Sequence, residues 1–411
     1  AAVLALAWWS RQVRLGTGRT MSLVSAQFVL FFALLPLTVL LFGRASFVSP
    51  VINLVAVPVF GFVTVPAALL SLVLPDAAAP VALKLASLSI AVIDALALSV
   101  AEHPAAAKMT ALFPGIAVLL VGLPLLWLLP QGWPGRYAAL LGLVAIVSWR
   151  PQPPPAGCID VWTLDVGHGL AVAVRSSDRL LLYDTGAGRH HGDSVAVRTI
   201  VPWMQAFGIG HIDELVLSHA DNDHAGGVDD LLQRVAVREL IAGEAVAGLD
   251  ARACRAGLTW RWPDVSFRVL HPHGQRASGN DASCVVLVTI GDYSVLLTGD
   301  IETPAETALV RSRTLPRVDI VSVPHHGSLT SSSPPFVAAV EPAIAIVSAA
   351  YGNHWGFPKP RVVARWRAVG AQVLDTAASG AIVVRMCSND GIAAPQTWRD
   401  QRRRIWHDPD S

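Results

Sequence analysis

The feature that most constrains the fold is a near absence of charge over the first 150 of the 411 residues. This stretch contains eight Lys and Arg and three Asp and Glu, whereas the remainder carries 23 basic and 27 acidic residues. Soluble domains are about 25% charged, so an ordinary soluble fold is excluded for the first part. The sequence predicts a membrane part, residues 1–150, and a soluble part without a global excess of positive charge.

Apolar runs in the first part predict an α-helical transmembrane bundle. A span of the bilayer core takes about 20 apolar residues, and four of the five runs reach that order of length, the last one being short. Pro58 and Pro66 interrupt the second run and predict a broken helix, either lining a path or kinked by packing. The five runs cover residues 21–42, 47–74, 81–100, 112–129 and 137–149.

Basic residues near the start predict the orientation of the bundle. Arg11, Arg14 and Arg19 form the densest basic loop, which the positive-inside rule assigns to the cytoplasm. Five crossings from there leave the soluble part outside, whereas four leave it inside. The chain begins at Ala1 within apolar sequence, and we interpret it as the C-terminal piece of a longer protein.

A proline-rich segment, residues 151–157, predicts a linker at the domain boundary. Beyond it, short apolar runs alternate with turn residues and predict strands at 159–164, 170–175, 180–184, 214–218, 265–270, 284–290, 293–298, 318–323, 343–348 and 381–386. Helices are expected to begin near Gly226, Thr303, Pro334 and Pro360. This order favours an α+β or α/β domain over residues 158–390, followed by a basic tail, 391–411. The spacing of the four cysteines does not indicate a compartment.

The most informative stretch for chemistry holds four potential metal ligands within six residues. His219, Asp221, Asp223 and His224 follow a predicted strand directly, so one tight loop can direct all four at one point. Imidazole and carboxylate ligands suit zinc, and a carboxylate-rich set also suits manganese. A solvated polar loop is the alternative interpretation.

Further polar residues follow other predicted strands. Asp184, Asp300 and the pair His325 and His326 each come directly after an apolar run. Each position alone is typical of a turn, but together they predict that several strands deliver polar residues to one sheet edge. A pair of metal ions needs a bridging carboxylate, for which Asp300 is the natural candidate.

These motifs resemble a known family. The pattern His219-x-Asp221-x-Asp223-His224 is similar to the metallo-β-lactamase-fold signature, and Asp184, Asp300 and His325/His326 resemble its other motifs in order. The segments 164–169, LDVGHG, and 49–58, SPVINLVAVP, resemble the ComEC family of competence DNA-uptake channel proteins. The resemblance implies an αββα sandwich with two divalent ions, zinc or manganese. It implies catalytic roles for Asp223, His224 and Asp300, metal ligation by His219, Asp221, Asp223, His224, Asp300, His325 and His326, and supporting roles for Asp165, Asp184 and Asp281.

Three positions depart from the family pattern. His168 replaces a common Gln and is either a new ligand or a loop histidine. The third-motif histidine is missing, so Asn280 or Asp281 approaches the metal or the position is empty. Lys359 stands where the family commonly has His; either Lys359 or His354 contacts a phosphate, or the segment is a plain loop.

The resemblance implies a channel for transforming DNA in the cytoplasmic membrane, working with other competence proteins. Its metal-dependent nuclease domain would lie outside and degrade the strand that is not transported. Two alternatives are a DNA transporter with an inactive metallo domain and a membrane-tethered metallo-hydrolase of a small ester or lactone. The sequence does not predict an oligomeric state. Candidate DNA contacts are Ser328, His354, Trp355, Lys359, Arg361, Arg365 and Arg367, although an amphipathic helix beginning at Pro360 with a solvated basic face is also open.

Overall fold

The computed structural model describes residues 48–101, 151–188, 194–246, 248–273 and 278–401, with isolated positions at 24, 26–27, 30–31, 34, 38, 44–45, 108–109 and 137. The chain divides into two compact units, Ala1–Pro151 and Gln152–Ser411. The boundary falls within the proline-rich segment. The predicted basic loop at Arg11–Arg19 and most of three apolar runs, 21–42, 112–129 and 137–149, lie outside the described residues.

The described part of the first unit is a pair of long apolar helices. Two segments are long and apolar enough to cross a membrane, Ser49–Leu70 and Ala79–Ala97. They coincide with the second and third predicted runs. The elements are β1 (Arg44–Ala45), α1 (Ser49–Val59), a π-helical turn (Phe60–Thr64), α2 (Val65–Leu70), α3 (Ala79–Ala101) and β2 (Lys108–Met109), which pairs antiparallel with β1.

The second run is helical throughout from Ser49 to Leu70, with a π-helical turn between its two prolines and not the broken helix that they predict. Pro58 lies near the end of α1, and Pro66 lies in the first turn of α2 on the far side of the π-helical turn. Proline lacks an N–H and disturbs the regular hydrogen-bond ladder, which accounts for the wider turn between the two. The hydroxyls of Thr64 and Ser89 are buried and share a 2.7 Å hydrogen bond, which joins this turn to α3.

The second unit contains two β-sheets. One has nine strands in the order β17-β16-β3-β4-β5-β6-β7-β8, with β18 also pairing with β16. Its strands are β3 (Cys158–Thr163), β4 (Val172–Arg175), β5 (Leu180–Tyr183), β6 (His211–Leu217), β7 (Ala236–Ala242), β8 (Arg252–Ala253), β16 (Ile382–Cys387), β17 (Gly391–Ile392) and β18 (Gln396–Thr397). The other has seven strands in the order β15-β14-β13-β12-β11-β10-β9. These are β9 (Thr259–Arg261), β10 (Val265–His271), β11 (Val285–Ile290), β12 (Tyr293–Leu297), β13 (Ile320–Ser322), β14 (Ile344–Val347) and β15 (Gln372–Asp375).

Helices cover the outer faces of both sheets. A π-helical turn (Ala196–Ile200) leads into α4 (Val201–Ala206), followed by α5 (Asn222–Ala225), α6 (Val228–Leu232), α7 (Thr303–Ser312), α8 (Pro334–Val340), α9 (Pro360–Ala368), α10 (Thr376–Ser379) and α11 (Trp398–Gln401), with short 3₁₀ turns at Gly279–Ala282 and Pro324–Gly327. One buried cluster joins side chains of both sheets, including Val174 and Val288. A second joins the seven-stranded sheet to α7, α8 and α9, and a third joins the nine-stranded sheet to α4 and α6. These three clusters lie between four layers, helices, sheet, sheet and helices, and the unit is therefore an αββα sandwich.

Every predicted strand is present in the second unit, and helices begin at or within a few residues of the four predicted starts. The sequence did not predict the strands β7, β8, β9, β15, β17 and β18, nor the helical segment before Phe207. The segment of β7 mixes charged and apolar residues. The structure also pairs all four cysteines. Cys158 and Cys387 join β3 to its neighbour β16, and Cys254 and Cys284 join the segment after β8 to the start of β11.

Candidate metal centre

The candidate site lies where strands of both sheets end. The parallel pair β5 and β6 leads to Asp184 and to the loop that begins at Ser218, while β12 and β13 lead to Asp300 and to the turn of His325 and His326. Parallel neighbours end at the same edge of a sheet, so the loops that follow them meet.

Four of these residues form the one group of potential metal ligands found among the described residues. One ligand atom from each of Asp223, His224, Asp300 and His326 lies within 4.8 Å of the other three. Nε2 of His224 lies 3.1 Å from Oδ1 of Asp300, and Nε2 of His326 lies 3.3 Å from Oδ2 of Asp223 and 3.5 Å from Oδ2 of Asp300. Asp300 is therefore next to the loop that holds Asp223, as a bridging carboxylate requires.

Asp184 fixes the ring of His224. The left-handed backbone of Asp184, φ 63°, turns the chain away from β5, and its buried carboxylate accepts a 2.7 Å hydrogen bond from Nδ1 of His224. The same carboxylate accepts hydrogen bonds from the backbone N–H and the hydroxyl of Ser218. A carboxylate behind a histidine sets its tautomer and directs the other nitrogen, here Nε2, at the centre.

His326 is held in a similar way by the backbone. His325 and His326 both adopt left-handed φ angles, 50° and 51°, which gives the sharp turn after β13. Nδ1 of His326 donates a 2.9 Å hydrogen bond to the carbonyl oxygen of Ser348, at the end of β14. Its Nε2 consequently faces Asp223 and Asp300.

His219 is the third histidine of this kind. Its Nδ1 lies 3.0 Å from the hydroxyl of Ser218, which gives its own proton to Asp184 and so accepts from the imidazole.

Nε2 of His219, of His224 and of His326 and Oδ1 of Asp300 are buried and have no hydrogen-bond partner among the described residues. Buried polar atoms are rarely left unpaired in folded proteins, and these four could hold a cation. The donor set, imidazole nitrogens with carboxylate oxygens, fits zinc or manganese.

Charge is concentrated in this cluster. Burial raises the pKa of Asp223, but the adjacent imidazoles of His326 and His224 outweigh burial and lower the pKa to about 2. Burial lowers the pKa of His224, but the carboxylates of Asp300 and Asp184 raise it well above its ordinary value. Burial likewise opposes the ionisation of Asp300, yet His224 and His326 hold its pKa well below the ordinary range. Ionised buried carboxylates require positive charge beside them, which a divalent ion supplies while displacing imidazole protons.

His219 and Asp221 are a pair of potential ligands outside the four-residue group. Nε2 of His219 lies 3.4 Å from Oδ2 of Asp221, whose side chain is 59% exposed. The hydroxyl of Ser283 lies 3.4 Å from Nδ1 of His219 and accepts a 3.0 Å hydrogen bond from the backbone N–H of Asp300. Ser283 therefore lies beside His219, in the segment where the sequence lacks the expected third-motif histidine.

Two residues of that segment lie away from the cluster. The side chain of Asn280 donates to Oε1 of Glu302, and Oδ1 of Asp281 accepts from the backbone N–H of Glu302. Both side chains bond to Glu302, which of the two predicted alternatives favours an empty position at the third motif. Asp281 supports the loop after β12, as a structural residue does.

His325 also faces Glu302. Its Nδ1 lies 3.1 Å from Oε1 of Glu302 and 3.0 Å from the hydroxyl of Thr330, while its Nε2 is 3.9 Å from Oδ2 of Asp300. Of the two neighbouring histidines, His326 is the one that belongs to the four-residue group. His325 lies at the edge of the centre.

The loop after β3 contributes Asp165 and His168. Oδ1 of Asp165 accepts a 3.4 Å hydrogen bond from the backbone N–H of Gly167, and burial raises the pKa of this carboxyl. Nε2 of His168 lies 3.4 Å from Oδ2 of Asp223. Asp165 thus shapes the turn, and His168 approaches the centre from outside the four-residue group.

The predicted substrate contacts differ in their surroundings. Ser328 is buried and its hydroxyl bonds to Thr330 within its own turn, so its surroundings do not support a substrate contact. Nζ of Lys359 donates to the carbonyl oxygen of Trp355. Arg361 and His354 are exposed, whereas Arg365 donates to the carbonyl oxygens of Ser331 and Ser332 and supports the fold.

Sequence reasoning missed several supporting residues. Ser218 directly precedes His219, and its position at a strand exit was a usable signal. Ser283, Ser348 and Glu302 had no such signal, because their roles depend on loops that meet only in the folded chain.

Comparisons with known proteins agree with this architecture. Residues 1–133 match the family model described as competence protein, and residues 164–350 match the metallo-beta-lactamase superfamily. The competence protein ComA of Neisseria gonorrhoeae is 36% identical over 376 residues, 91% of this chain and 53% of that protein. Recombination protein 2 of Haemophilus influenzae is 38% identical over 60% of this chain and 31% of its own length. ComE operon protein 3 of Bacillus subtilis is 28% identical over 55% of this chain and 33% of its own length.

The chain thus spans about half or less of each of these relatives. Both of its units are nevertheless represented, the first by the competence match and the second by the metallo-beta-lactamase match and the αββα sandwich. The chain thus joins a region that matches the competence protein family model to a domain that matches the metallo-beta-lactamase superfamily.

Proposed function

We propose that this chain is the channel and nuclease portion of a DNA-uptake protein. The first unit passes one DNA strand through the cytoplasmic membrane, and the second degrades the other strand by metal-dependent phosphodiester hydrolysis. The observation that supports a nuclease is the group of Asp223, His224, Asp300 and His326, in which the buried histidine Nε2 atoms make no hydrogen bond among the described residues and face carboxylate oxygens. The relatives named as competence proteins support the DNA substrate.

Different residues would bind each of the two metal ions at the centre. Asp223, His224, His326 and Asp300 would hold one divalent ion, and His219, Asp221 and Asp300 would hold a second. Such ions, when bound, supply a hydroxide nucleophile near neutral pH and offset charge on the attacking and leaving oxygens. Asp223, with a low pKa and partial exposure, is an anionic acceptor that can also orient the attacking water. Asp184 keeps the His224 ring fixed throughout.

We place the second unit on the outer side of the membrane. Disulfides persist in oxidising compartments and are rare in the cytosol, and this unit pairs all four cysteines. The two apolar helices of the first unit support a multi-pass membrane protein, and other competence proteins are its expected partners.

A nuclease assay tests the proposal. The full chain in detergent, loaded with Mn²⁺ or Zn²⁺, is expected to hydrolyse DNA. Asp300→Asn is expected to reduce the rate at least about 100-fold, the size of losing one preorganised electrostatic contact to the transition state. Intact DNA together with cleavage of a lactone would favour the small-ester hydrolase. Intact DNA without any hydrolysis, from a protein that binds DNA, would favour the transporter with an inactive metallo domain.

A further inference from the structure

The helix α3 has three faces that differ in composition. Successive residues of an α-helix are turned by about 100°, so residues three, four or seven positions apart lie on one face. The first face packs on α1, the π-helical turn and α2, and its Ser89 bonds to Thr64 of that turn. It comprises the least exposed of the described side chains of α3, Ala79, Ala82, Ala86, Ser89, Ile93 and Ala97.

The second face consists of large apolar side chains. All of its members are exposed, from 38% for Leu96 to 70% for Val81. Side chains of this size and polarity favour the hydrocarbon core of a bilayer. We call this set the lipid face; its members are Val81, Leu85, Leu88, Val92 and Leu96.

The third face carries the charged residues of α3. Lys84, Ser87, Ala91 and Asp94 follow one another at spacings of three, four and three residues, so they form one stripe along the helix. All four are exposed. We call these four residues the polar face. It lies on the other side of α3 from the lipid face, with the packed face between the two.

The charges of the polar face lie at membrane depth. The helix has 23 residues, Ala79–Ala101, so its midpoint is Ile90. Asp94 lies about 6 Å beyond this midpoint and Lys84 about 9 Å before it, at about 1.5 Å per residue. A charge at such a depth is costly in lipid and faces either other parts of the protein or a water-filled cavity. The polar face therefore does not contact acyl chains.

The chain offers these two charges few partners other than water. The five apolar runs contain no Lys, Arg, Asp or Glu besides Lys84 and Asp94, so no other run supplies an opposite charge. The two residues are about 15 Å apart along the helix, too far to pair with each other. Water can solvate both groups, and the small side chains of Ser87 and Ala91 between them leave room for it.

We propose that the polar face of α3 lines a water-filled path through the membrane part of the chain. This inference rests on the membrane location in the proposed function, and it names the side chains that border the path assigned there to a DNA strand. The lipid face and the packed face are excluded from that path.

The test measures the access of water to single cysteines on two faces of α3. The four native cysteines are all paired in disulfides and leave no free thiol. Ser87→Cys and Ala91→Cys probe the polar face, and Leu85→Cys and Val92→Cys are controls at matching depth on the lipid face. The full chain is reconstituted in phospholipid vesicles with the anionic thiol reagent sulfonatoethyl methanethiosulfonate on both sides of the bilayer.

The cysteines of the polar face are expected to react faster than those of the lipid face, because the reagent attacks the thiolate and both are charged. The expected ratio of rates is about 70- to 400-fold, which corresponds to the cost of about 2.5–3.5 kcal/mol for a charged group at the centre of a membrane helix. Mass spectrometry follows the reaction. All four variants should react completely after solubilisation in dodecyl sulfate, which confirms that each thiol is present.

Two results would overturn the inference while leaving the membrane location intact. One is slow reaction of all four variants, which would mean that protein covers the polar face without water. The other is faster reaction at Leu85→Cys and Val92→Cys than at the polar face. Fast reaction of all four variants would instead show that α3 is not embedded in the bilayer, and it would refute the membrane location on which the inference rests.

Discussion

At the scale of residues, the site depends on pairs in which one side chain sets the chemistry of another. Asp184 accepts hydrogen bonds from Nδ1 of His224 and from Ser218, so the imidazole has one ring orientation and directs its Nε2 at the centre. The backbone carbonyl oxygen of Ser348 accepts a hydrogen bond from His326 and fixes that imidazole ring in the same way. Supporting contacts of this type commonly account for 10- to 100-fold in metal affinity. The supporting residues are therefore as informative about function as the ligands.

Asp223→Asn is expected to weaken Mn²⁺ or Zn²⁺ binding by at least about 100-fold, because it removes an anionic ligand and not merely a supporting contact. Isothermal titration calorimetry measures this directly. Asp229→Asn, an exposed carboxylate on α6, is the matched control and should bind metal like the wild type. Equal affinities for Asp223→Asn and the control would remove Asp223 from the ligand set.

The buried carboxyl group of Glu214 predicts how the free energy of unfolding depends on pH. Burial raises the pKa of this carboxyl from 4.5 to about 7, although the indole N–H of Trp262 partly opposes the shift. The unfolded chain gives up the proton near pH 4.5 and the folded chain near pH 7. Stability from the protonated carboxyl is thus complete below pH 4.5 and is lost as the pH rises to 7.

Glu214→Gln should abolish this dependence. Relative to the wild type, its free energy of unfolding is expected to rise by about 1–3 kcal/mol between pH 4.5 and pH 8. Urea denaturation of the Gln152–Ser411 unit at both pH values measures the difference, with the exposed Asp292→Asn as control. A constant difference between variant and wild type across this range would show that Glu214 titrates normally.

At the scale of elements, the loops after the strands matter more than the strands. Gly169 shows why, because its φ of 129° and its close approach to the Asp223 backbone both exclude a side chain. A Cβ atom there would lie 2.3 Å from the Asp223 carbonyl oxygen. The loop after β3 and the ligand loop after β6 are therefore built to fit each other.

Gly169→Ala is expected to displace the ligand loop and lower metal affinity by about 10-fold or more, the size of a disturbed supporting contact. Gly167→Ala is a matched control, since Gly167 also has a left-handed φ, 72°, but nothing lies within 4 Å of its added Cβ. The control should lose about 1–2 kcal/mol of stability from backbone strain while keeping its metal affinity. Equal metal affinities in the two variants would argue against coupling between the loops.

Most strands could be predicted because each is a short apolar run between turn residues, a pattern that reports local burial. β7 was not predicted because its segment includes Arg238 and Glu239, and it is a strand through its pairing with β6 and β8. The helix starts at Thr303, Pro334 and Pro360 were predictable because a proline lies in the first turn of each. Such signals are local, whereas strand order is not.

At the scale of the whole molecule, the two disulfides have different neighbours. Cys158–Cys387 joins adjacent strands of one sheet, whereas Cys284 directly follows Ser283, which contacts Asp300 and His219. The second disulfide is thereby connected to the candidate metal centre, and the first is not.

The double variant Cys254→Ser/Cys284→Ser is expected to lose metal affinity by about 10-fold or more, because Ser283 is freed to move. Cys158→Ser/Cys387→Ser serves as the control and should lose only stability, about 2–5 kcal/mol. Calorimetric titration and urea denaturation of the Gln152–Ser411 unit give the two quantities. Identical metal affinities in both double variants would mean that the disulfide beside Ser283 does not support the centre.

The sequence by itself determined the division into an apolar and a soluble part, the positions of most strands and the dense ligand loop, because charge, periodicity and short-range spacing are properties of neighbouring residues. It also indicated the family through motifs that lie within single loops. Only the tertiary structure decided that His326 and not His325 joins Asp223, His224 and Asp300, that Ser283 lies beside His219, and that His168 and Trp355 stack next to the centre. These outcomes depend on contacts between loops far apart in the chain, whose geometry is set by how the two sheets pack.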